Sequence, residues 1–383
     1  MTNNIVLALV VVTALGFDFT NGFHDTANAM ATSIATKALK PKVAVGLSAV
    51  LNLVGAFLSL SVAATIAKGI VNADLVTLNV VFAGLVGAII WNVATWYFGT
   101  PSSSSHALIG GVVGAMLVHA GSSSIKWSGV FGKVLIPAVI APVVAAICAA
   151  LAVFVALQIT KRGEEKTTGA GFKFAQIGSA SLVSLAHGTN DAQKTMGIIT
   201  LALIANHNLG ASASVPLWVV IACGTAIALG TYFGGWRIIH TIGKGLTELN
   251  TPQGFAAETS SAAVLLASTH FGVPLSTTQV CSGSVVGVGI GTGNKVRWRV
   301  FGEMVAAWLI TLPSAGIVGA LVFWLANAIG GSAGVAVMLG AMVVVCAIFY
   351  VLSRRTPVNA DNVNNEWGSD HEPIEASFEA TAA

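Results

Sequence analysis

The sequence predicts an all-α polytopic membrane protein with two inverted-topology repeats, broken helices and re-entrant helical hairpins. Three observations support this fold class: the composition, the long apolar stretches and a duplicated pair of motifs. Hydrophobic residues make up 55% of the 383 positions and charged residues only 9%, whereas soluble domains carry about 25% charged residues. A chain with so few charges cannot cover itself with polar surface, so it is expected to lie in lipid.

Long apolar stretches supply the membrane spans. Because about 20 apolar residues cross a bilayer, we expect spans at residues 43–67, 134–159, 215–235, 300–326 and 333–352. The other apolar segments are interrupted by polar residues at 18–25, 101–106, 187–191 and 274–279. Interruptions at matching positions of two halves are typical of the binding site of a transporter.

The interruptions form two duplicated motifs. The segment GFHDTAN at 22–28 aligns with GTNDAQK at 188–194, and FGTPSS at 98–103 aligns with FGVPLS at 271–276. The two matches occur in the same order and at nearly the same separation, which indicates a duplicated unit. We therefore expect a first transmembrane repeat at 1–160, a cytoplasmic linker loop at 161–173 and a second, inverted repeat at 174–328.

Two further segments follow the repeats. Residues 329–353 are predicted to form an extra transmembrane helix. Residues 354–383 are predicted to form a disordered, acidic cytoplasmic tail, since six of the fifteen acidic residues lie after position 360. Lys and Arg gather at 37–42, 161–173, 237–244, 295–299 and 354–355. If those segments face the cytoplasm, the N-terminus lies outside and the C-terminus inside, in a bacterial plasma (inner) membrane. Residues 79–99 could form half of a hairpin or a full span.

The carboxylates within the apolar segments are the first candidate site. An aspartate at a helix centre is unfavourable by roughly 2.5–3.5 kcal/mol, so Asp25 and Asp191 are expected to face a cavity or a partner. Gly22 and Gly188 are predicted to let the backbone unwind beside them. Carboxylates, carbonyls and amide oxygens suit a small cation or a proton, so the coupling-ion candidates are Asp25, Asn28, Asn21, Asn190, Asp191 and Glu258. For Glu258, a proton relay and simple pairing with a Lys or Arg are equal alternatives.

The hydroxyl motifs are the second candidate site. Residues 103–105 and 276–278 place hydroxyls and backbone amides ahead of an apolar helix, which suits an oxyanion. Ordinary helix capping is the alternative for either motif alone. The duplication beside the Asp motifs favours the anion site.

These motifs resemble the inorganic phosphate transporter (PiT) family, and FDFTNGFHDTANA at 17–29 is similar to the bacterial low-affinity phosphate permeases. The resemblance implies a symporter, not an enzyme, that imports inorganic phosphate by alternating access, coupled to H⁺ or Na⁺ and without a cofactor. It implies a substrate site made by Asp25, Asn28, Ser103, Ser104, Ser105, Asp191, Ser276, Thr277 and Thr278. Lys194 is added to the candidate site from its own position in the second motif.

Lys194 departs from the symmetric pattern, because Asn28 stands at the equivalent position of the first half. An ammonium cannot ligate Na⁺. We therefore expect Lys194 to replace one of two cation sites and to pair with Asp191 or with phosphate. Transport is then expected to be coupled to protons. A Na⁺ site at Asp25 and Asn28 is kept as an alternative, and no other metal site is predicted.

Several alternatives stay open from the sequence. Sulfate is also a tetrahedral anion, although an acceptor such as Asp25 or Glu258 favours the proton-bearing phosphate; a metal–phosphate complex is another candidate cargo. An intramembrane aspartyl protease would use Asp25 and Asp191 as a dyad, but it would leave the hydroxyl motifs without a role. The expected partners are inorganic phosphate and membrane lipid, with no nucleic acid; a homodimer is left open.

Overall fold

The computed structural model describes residues 3–162, 165–210 and 212–365, leaving out the side chains of residues 162–168. Over those residues the protein is built from α-helices with short 3₁₀ and π turns. The described residues contain no β-strand, only one isolated bridge between Val71 and Ile125. The predicted all-α membrane fold class is thus confirmed.

The helices follow one another with short connections. In chain order they are α1 (Asn3–Ala35), α2 (Pro41–Gly55), α3 (Ser61–Gly69), α4 (Leu78–Tyr97), α5 (Ser104–Ala120), α6 (Trp127–Val130), α7 (Ile136–Arg162), α8 (Glu165–Ala205), α9 (Leu217–Phe233), α10 (Trp236–His240), α11 (Thr251–His270), α12 (Thr277–Thr292), α13 (Trp298–Ile329) and α14 (Gly331–Ser353).

Five helical segments of the described chain are long and apolar enough to cross a membrane alone. They are Asn3–Ala35, Leu78–Tyr97, Trp127–Lys161, Trp298–Ile329 and Gly331–Ser353. A sixth candidate is α9 with the segment Trp236–Gly245, which is bent by 64° at the break. The protein is therefore an integral membrane protein. Since α4 is itself long enough to span, a hairpin that enters and leaves on one side stays a prediction.

The helices that carry the two aspartates are continuous, so the predicted unwinding at Gly22 and Gly188 is wrong. Both glycines lie inside unbroken helices, α1 and α8. A Cβ atom at Gly22 would lie 2.3 Å from the Ile227 carbonyl oxygen, and one at Gly188 would lie 2.2 Å from that of Asn52. These glycines are needed for close helix packing, of α1 against α9 and of α8 against α2.

The single span predicted at 43–67 is also wrong, because that stretch forms two helices, α2 and α3. The start of α3 is held by a distant side chain. The Gln193 Oε1 atom on α8 accepts hydrogen bonds from the backbone amides of Val62 (2.8 Å) and Ala63 (3.1 Å). Those amides begin a helix and have no partner within it, so Gln193 satisfies them.

The breaks predicted at the hydroxyl motifs are present between α4 and α5 and between α11 and α12. The helices that follow pack in equivalent ways. A Cβ at Gly114 of α5 would lie 1.9 Å from Gly316 O of α13, and a Cβ at Gly287 of α12 would lie 2.1 Å from Ala146 O of α7. The matching contacts are those expected of two repeats; their inverted relation stays a prediction.

The linker and the tail differ from the predictions where the structure describes them. Most of the predicted loop 161–173 belongs to the end of α7 and the start of α8. Residues 357–365 of the predicted disordered tail lie against α10: Val363 is buried, and its carbonyl accepts a hydrogen bond from His240 Nδ1 at 2.9 Å. The remainder of that tail, 366–383, lies outside the described residues.

Candidate functional site

The two aspartates of the duplicated motif lie in one buried pocket. His187 stands between them: its Nε2 atom is 3.5 Å from Asp191 Oδ2 and 3.9 Å from Asp25 Oδ2. One ligand atom from each of the three residues lies within 4.8 Å of the others, and all three side chains are buried. Equivalent positions of the two halves thus contribute to a shared site.

The tips of both broken segments reach the same pocket. Ser104 donates a hydrogen bond to Asp25 Oδ1 (3.1 Å), Thr278 donates to the same oxygen (3.4 Å), and Thr277 donates to Asp25 Oδ2 (3.1 Å). These residues form the first turns of α5 and α12. The first amide hydrogens of a helix have no partner within it, and its N-terminus carries a partial positive charge, which together favour an anion.

Helix capping accounts for the residue that precedes each tip. Ser103 Oγ accepts a hydrogen bond from His106 N (3.2 Å), and Ser276 Oγ accepts one from Gln279 N (3.4 Å). The capping alternative therefore applies to Ser103 and Ser276. The neighbouring hydroxyls of residues 104, 105, 277 and 278 are turned to the charged groups of the pocket.

Lys194 is buried and fully engaged. Its Nζ atom donates to Asp191 Oδ1 at 2.6 Å, to Ser105 Oγ at 2.5 Å and to the Leu275 carbonyl at 2.8 Å. These three contacts use all three ammonium hydrogens. The structure thus places the predicted Lys194–Asp191 pair together and joins it to the tips of both broken segments.

Three amide oxygens around the pocket have no hydrogen-bond partner among the described residues: the Oδ1 atoms of Asn21, Asn28 and Asn190. The amide nitrogen of Asn28 donates to Thr277 and Thr278, and that of Asn190 donates to Thr269. A buried acceptor without a donor is unfavourable. Amide oxygens and carboxylates are ligands for hard cations, and of these residues Asn28 shares its hydrogen-bond partners Thr277 and Thr278 with Asp25.

Glu258 lies in a separate buried cluster. Its carboxylate accepts hydrogen bonds from Thr32 (2.5 Å), Ser33 (2.7 Å), Ser179 (2.6 Å) and Gln176 (3.1 Å). Among the described side chains, no Lys or Arg forms an ion pair with it, so the predicted pairing alternative finds no support there. A cavity lined by Asn28, Thr32 and Glu258, among others, lies between this cluster and the aspartate pocket.

Two histidines that are absent from the predicted site also lie in the pocket. His187 stands 166 positions after Asn21 (187 − 21), the same separation as Asp25 and Asp191 (191 − 25). That alignment was the signal that could have identified it. His24 Nδ1 lies 2.7 Å from Asp25 Oδ1, while its Nε2 lies 3.2 Å from the Thr95 hydroxyl, which holds the ring in place.

A buried pocket with carboxylates, amides and hydroxyls at the ends of broken membrane helices defines a transporter rather than an enzyme. The comparisons with known proteins agree. Residues 21–319 match the model of the phosphate transporter family. The chain belongs to this family, as the sequence motifs predicted.

Several of its curated relatives come from bacteria. The chain is 58% identical to a "Probable low-affinity inorganic phosphate transporter" of Mycobacterium leprae, over 95% of this chain and 89% of that protein. Proteins of the same description from Mycobacterium tuberculosis H37Rv and Bacillus subtilis are 57% and 44% identical. These alignments cover 98% and 85% of this chain, and 90% and 98% of the respective relatives.

The fold is also that of a solved structure. "The sodium-dependent phosphate transporter" superposes with a TM-score of 0.76, covering 85% of this chain and 100% of that one at 24% sequence identity. The likeness shows that the two proteins share their helical architecture.

Proposed function

We propose that this protein imports inorganic phosphate across a bacterial inner membrane as a secondary symporter, coupled to H⁺ or Na⁺ and working by alternating access. One observation carries the proposal: the hydroxyls of both broken segments meet the two aspartates in one buried pocket. Ser104, Thr277 and Thr278 contact the aspartates, and Ser105 contacts Lys194, which is paired with Asp191. The pocket supplies donors for a tetrahedral anion and acceptors for its coupling ion. The names of the bacterial relatives support phosphate as the anion.

Phosphate also fits the acceptors better than sulfate does. At neutral pH hydrogen phosphate carries a proton that it can donate to a carboxylate, whereas sulfate has none. A site built to hydrogen-bond a substrate group rejects an analogue that lacks it, by factors of about 10⁴–10⁵ in favourable cases. Asp25 and Asp191 are the acceptors placed to make this distinction.

Alternating access follows from the burial of the site. Asp25 and Asp191 are 2% and 0% exposed, so an ion cannot reach them unless helices move. The two halves of the chain, each with an aspartate helix and a hydroxyl hairpin, are the units that would rock against each other. In this arrangement the N-terminus is outside, the C-terminus is cytoplasmic and the repeats are inverted.

The coupling ion depends on two neighbouring sites. The amide oxygen of Asn28, which has no hydrogen-bond partner among the described residues, favours a Na⁺ ion beside Asp25. At the equivalent position in the second half, the Lys194 ammonium already neutralises Asp191. We therefore assign at most one Na⁺ to the pocket, with protons carrying the remaining coupling.

A metal–phosphate complex is the second candidate cargo, and the group of Asp25, His187 and Asp191 favours it. Their ligand atoms lie within 4.8 Å of one another. Two carboxylates and an imidazole can bind a divalent cation, which would enter with the phosphate as substrate.

Reconstituted protein should test the substrate directly. We expect proteoliposomes to accumulate labelled phosphate when H⁺ and Na⁺ gradients are imposed separately, and a tenfold excess of sulfate to lower uptake less than twofold. If the transported species is the free anion, EDTA leaves phosphate uptake unchanged. If the transported species is the metal–phosphate complex, EDTA abolishes phosphate uptake. Equal competition by sulfate and by unlabelled phosphate would contradict the assignment of phosphate.

Lys194→Asn should change the ion dependence. The variant restores the amide that stands at the equivalent Asn28 position and removes the ammonium, so the second half regains a cation site. We expect uptake to become more dependent on Na⁺, measured as the ratio of initial rates with and without a Na⁺ gradient. Exposed Lys68 supplies the matched control as Lys68→Asn. An unchanged ratio in Lys194→Asn would reject this role for Lys194.

A further inference from the structure

A third carboxylate lies within the transport core, outside the pocket described above. Asp18 is on α1, seven residues before Asp25, and its side chain is 0% exposed. Seven residues are two helical turns, or about 10 Å along the helix. Within the described chain, neither carboxylate oxygen has a hydrogen-bond partner, and no Lys, Arg or His lies within 4.0 Å of it.

Few polar groups face Asp18. Thr195 on α8 and Cys223 on α9 lie near it, but neither forms a hydrogen bond of ordinary length with it. The charged groups that act on it are Asp191 and Lys194, both on α8. The α4 helix, which also packs on α1, has no charged residue over its whole length.

Lys194 cannot serve as the counterion of Asp18. Its three ammonium hydrogens are directed to Asp191, Ser105 and Leu275. An ionised carboxylate buried without a partner loses several kcal/mol of hydration. Asp18 must therefore be neutral, or bind a cation, whenever the protein has this closed conformation.

The surroundings favour a proton over a metal ion. Hard cations such as Mg²⁺ and Ca²⁺ take about six or more oxygen ligands. Among the described neighbours of Asp18, Thr195 supplies a hydroxyl oxygen, which has no hydrogen-bond partner of its own. Cys223 belongs to a buried apolar cluster that also contains Ala14, Phe17 and Ile227. A neutral carboxylic acid can be accommodated there, whereas a partly dehydrated cation cannot.

We propose that Asp18 is a proton-binding site of the transport cycle. This inference rests on the proposed function and makes it more specific, since it assigns one coupled proton to one residue. When the helices part on the outer side, the carboxylate takes up a proton on one oxygen. It remains neutral in the closed form and returns the same proton to water on the inner side. Asp25 stays available to the coupled cation, while Asp191 keeps its ion pair with Lys194.

Asp18→Asn tests this assignment, because an amide has nearly the shape of the neutral acid but cannot exchange its proton. Proteoliposomes are given a pH gradient of one unit and no membrane potential. One coupled proton contributes about a tenfold accumulation per pH unit, so the variant should accumulate about tenfold less phosphate than the unmodified protein. Counterflow exchange of labelled for unlabelled phosphate should stay within twofold. Asp74→Asn, which removes an exposed carboxylate, is the matched control.

The outcomes distinguish a failure of the proposed phosphate transport from a failure of the Asp18 assignment. If the unmodified protein shows neither accumulation nor counterflow of phosphate, the proposed function fails. If it shows counterflow but Asp18→Asn accumulates phosphate equally well, or loses counterflow at an unchanged melting temperature, the assignment of Asp18 is overturned. Should Asp18→Asn not reconstitute, Asp18→Glu keeps a titratable group in a shifted position. Its accumulation must then show a shifted pH profile, and an unshifted profile overturns the assignment.

Discussion

Asp25→Asn is expected to lower phosphate uptake by at least about a hundredfold. Asp25 accepts hydrogen bonds from Ser104, Thr277 and Thr278 and lies 2.7 Å from His24 Nδ1. Removing one partner from a buried charged network costs about 3–5 kcal/mol, and each 1.4 kcal/mol is about a tenfold change in an equilibrium constant. The measurement is the initial rate of labelled phosphate uptake into proteoliposomes.

The amide acts against the site in two ways. It removes the negative charge that the coupling ion needs, and it places an NH₂ group where hydroxyls donate. Unlike Asp18→Asn, this variant should therefore lose counterflow exchange as well as accumulation. The two phenotypes distinguish a residue that holds substrate and ion from one that only exchanges a proton.

The control separates transport from folding. Asp74→Asn makes the same chemical change at an exposed carboxylate and should transport normally. The melting temperature of Asp25→Asn, measured beside that of the unmodified protein, shows whether the variant is still folded when its uptake is assayed. A loss of uptake smaller than tenfold would contradict the assigned role of Asp25.

The sequence predicted the meeting of the aspartates because duplicated motifs in a two-repeat protein face a common interface. Asp25, Asp191 and the hydroxyls of residues 104–105 and 277–278 are brought together in this way. The resemblance to a transporter family assigned the same residues to a phosphate site. Neither argument predicted the contacts that depend on distant side chains, such as the Thr95 hydroxyl beside His24.

Helix continuity was the main error, and its cause is physical. Glycine serves both unwound backbone and close helix contacts, and one sequence does not distinguish the two uses. Gly22 and Gly188 serve close contacts. The interruption that the structure does contain, at 56–60, follows an apolar run. The next helix, α3, begins where the Gln193 side chain accepts hydrogen bonds from its first backbone amides. A tertiary contact of this kind leaves no local signal.

The packing of the α1–α9 pair allows a second large effect to be predicted, this time on stability. Gly230→Ala would place a Cβ atom 2.0 Å from the carbonyl oxygen of Phe19, a distance at which one of the two backbones must move. The neighbouring Thr231 hydroxyl accepts a hydrogen bond from Asn52 at 2.8 Å and donates one to the Gly22 carbonyl at 3.4 Å. Displacing α9 would strain these contacts too, and overpacking alone costs about 1–3 kcal/mol.

We therefore expect Gly230→Ala to lower the melting temperature of the detergent-solubilised protein by about 2–12 °C. Gly16→Ala is the matched control, because a Cβ there meets no atom within 4 Å and the site lies on the same helix pair. It should leave the melting temperature unchanged or raise it slightly, since alanine favours the helix by roughly 1 kcal/mol. Equal melting temperatures for the two variants would mean that α1 and α9 are not packed this closely. That result would also remove the support for placing Asp18 on α1 beside Cys223 on α9.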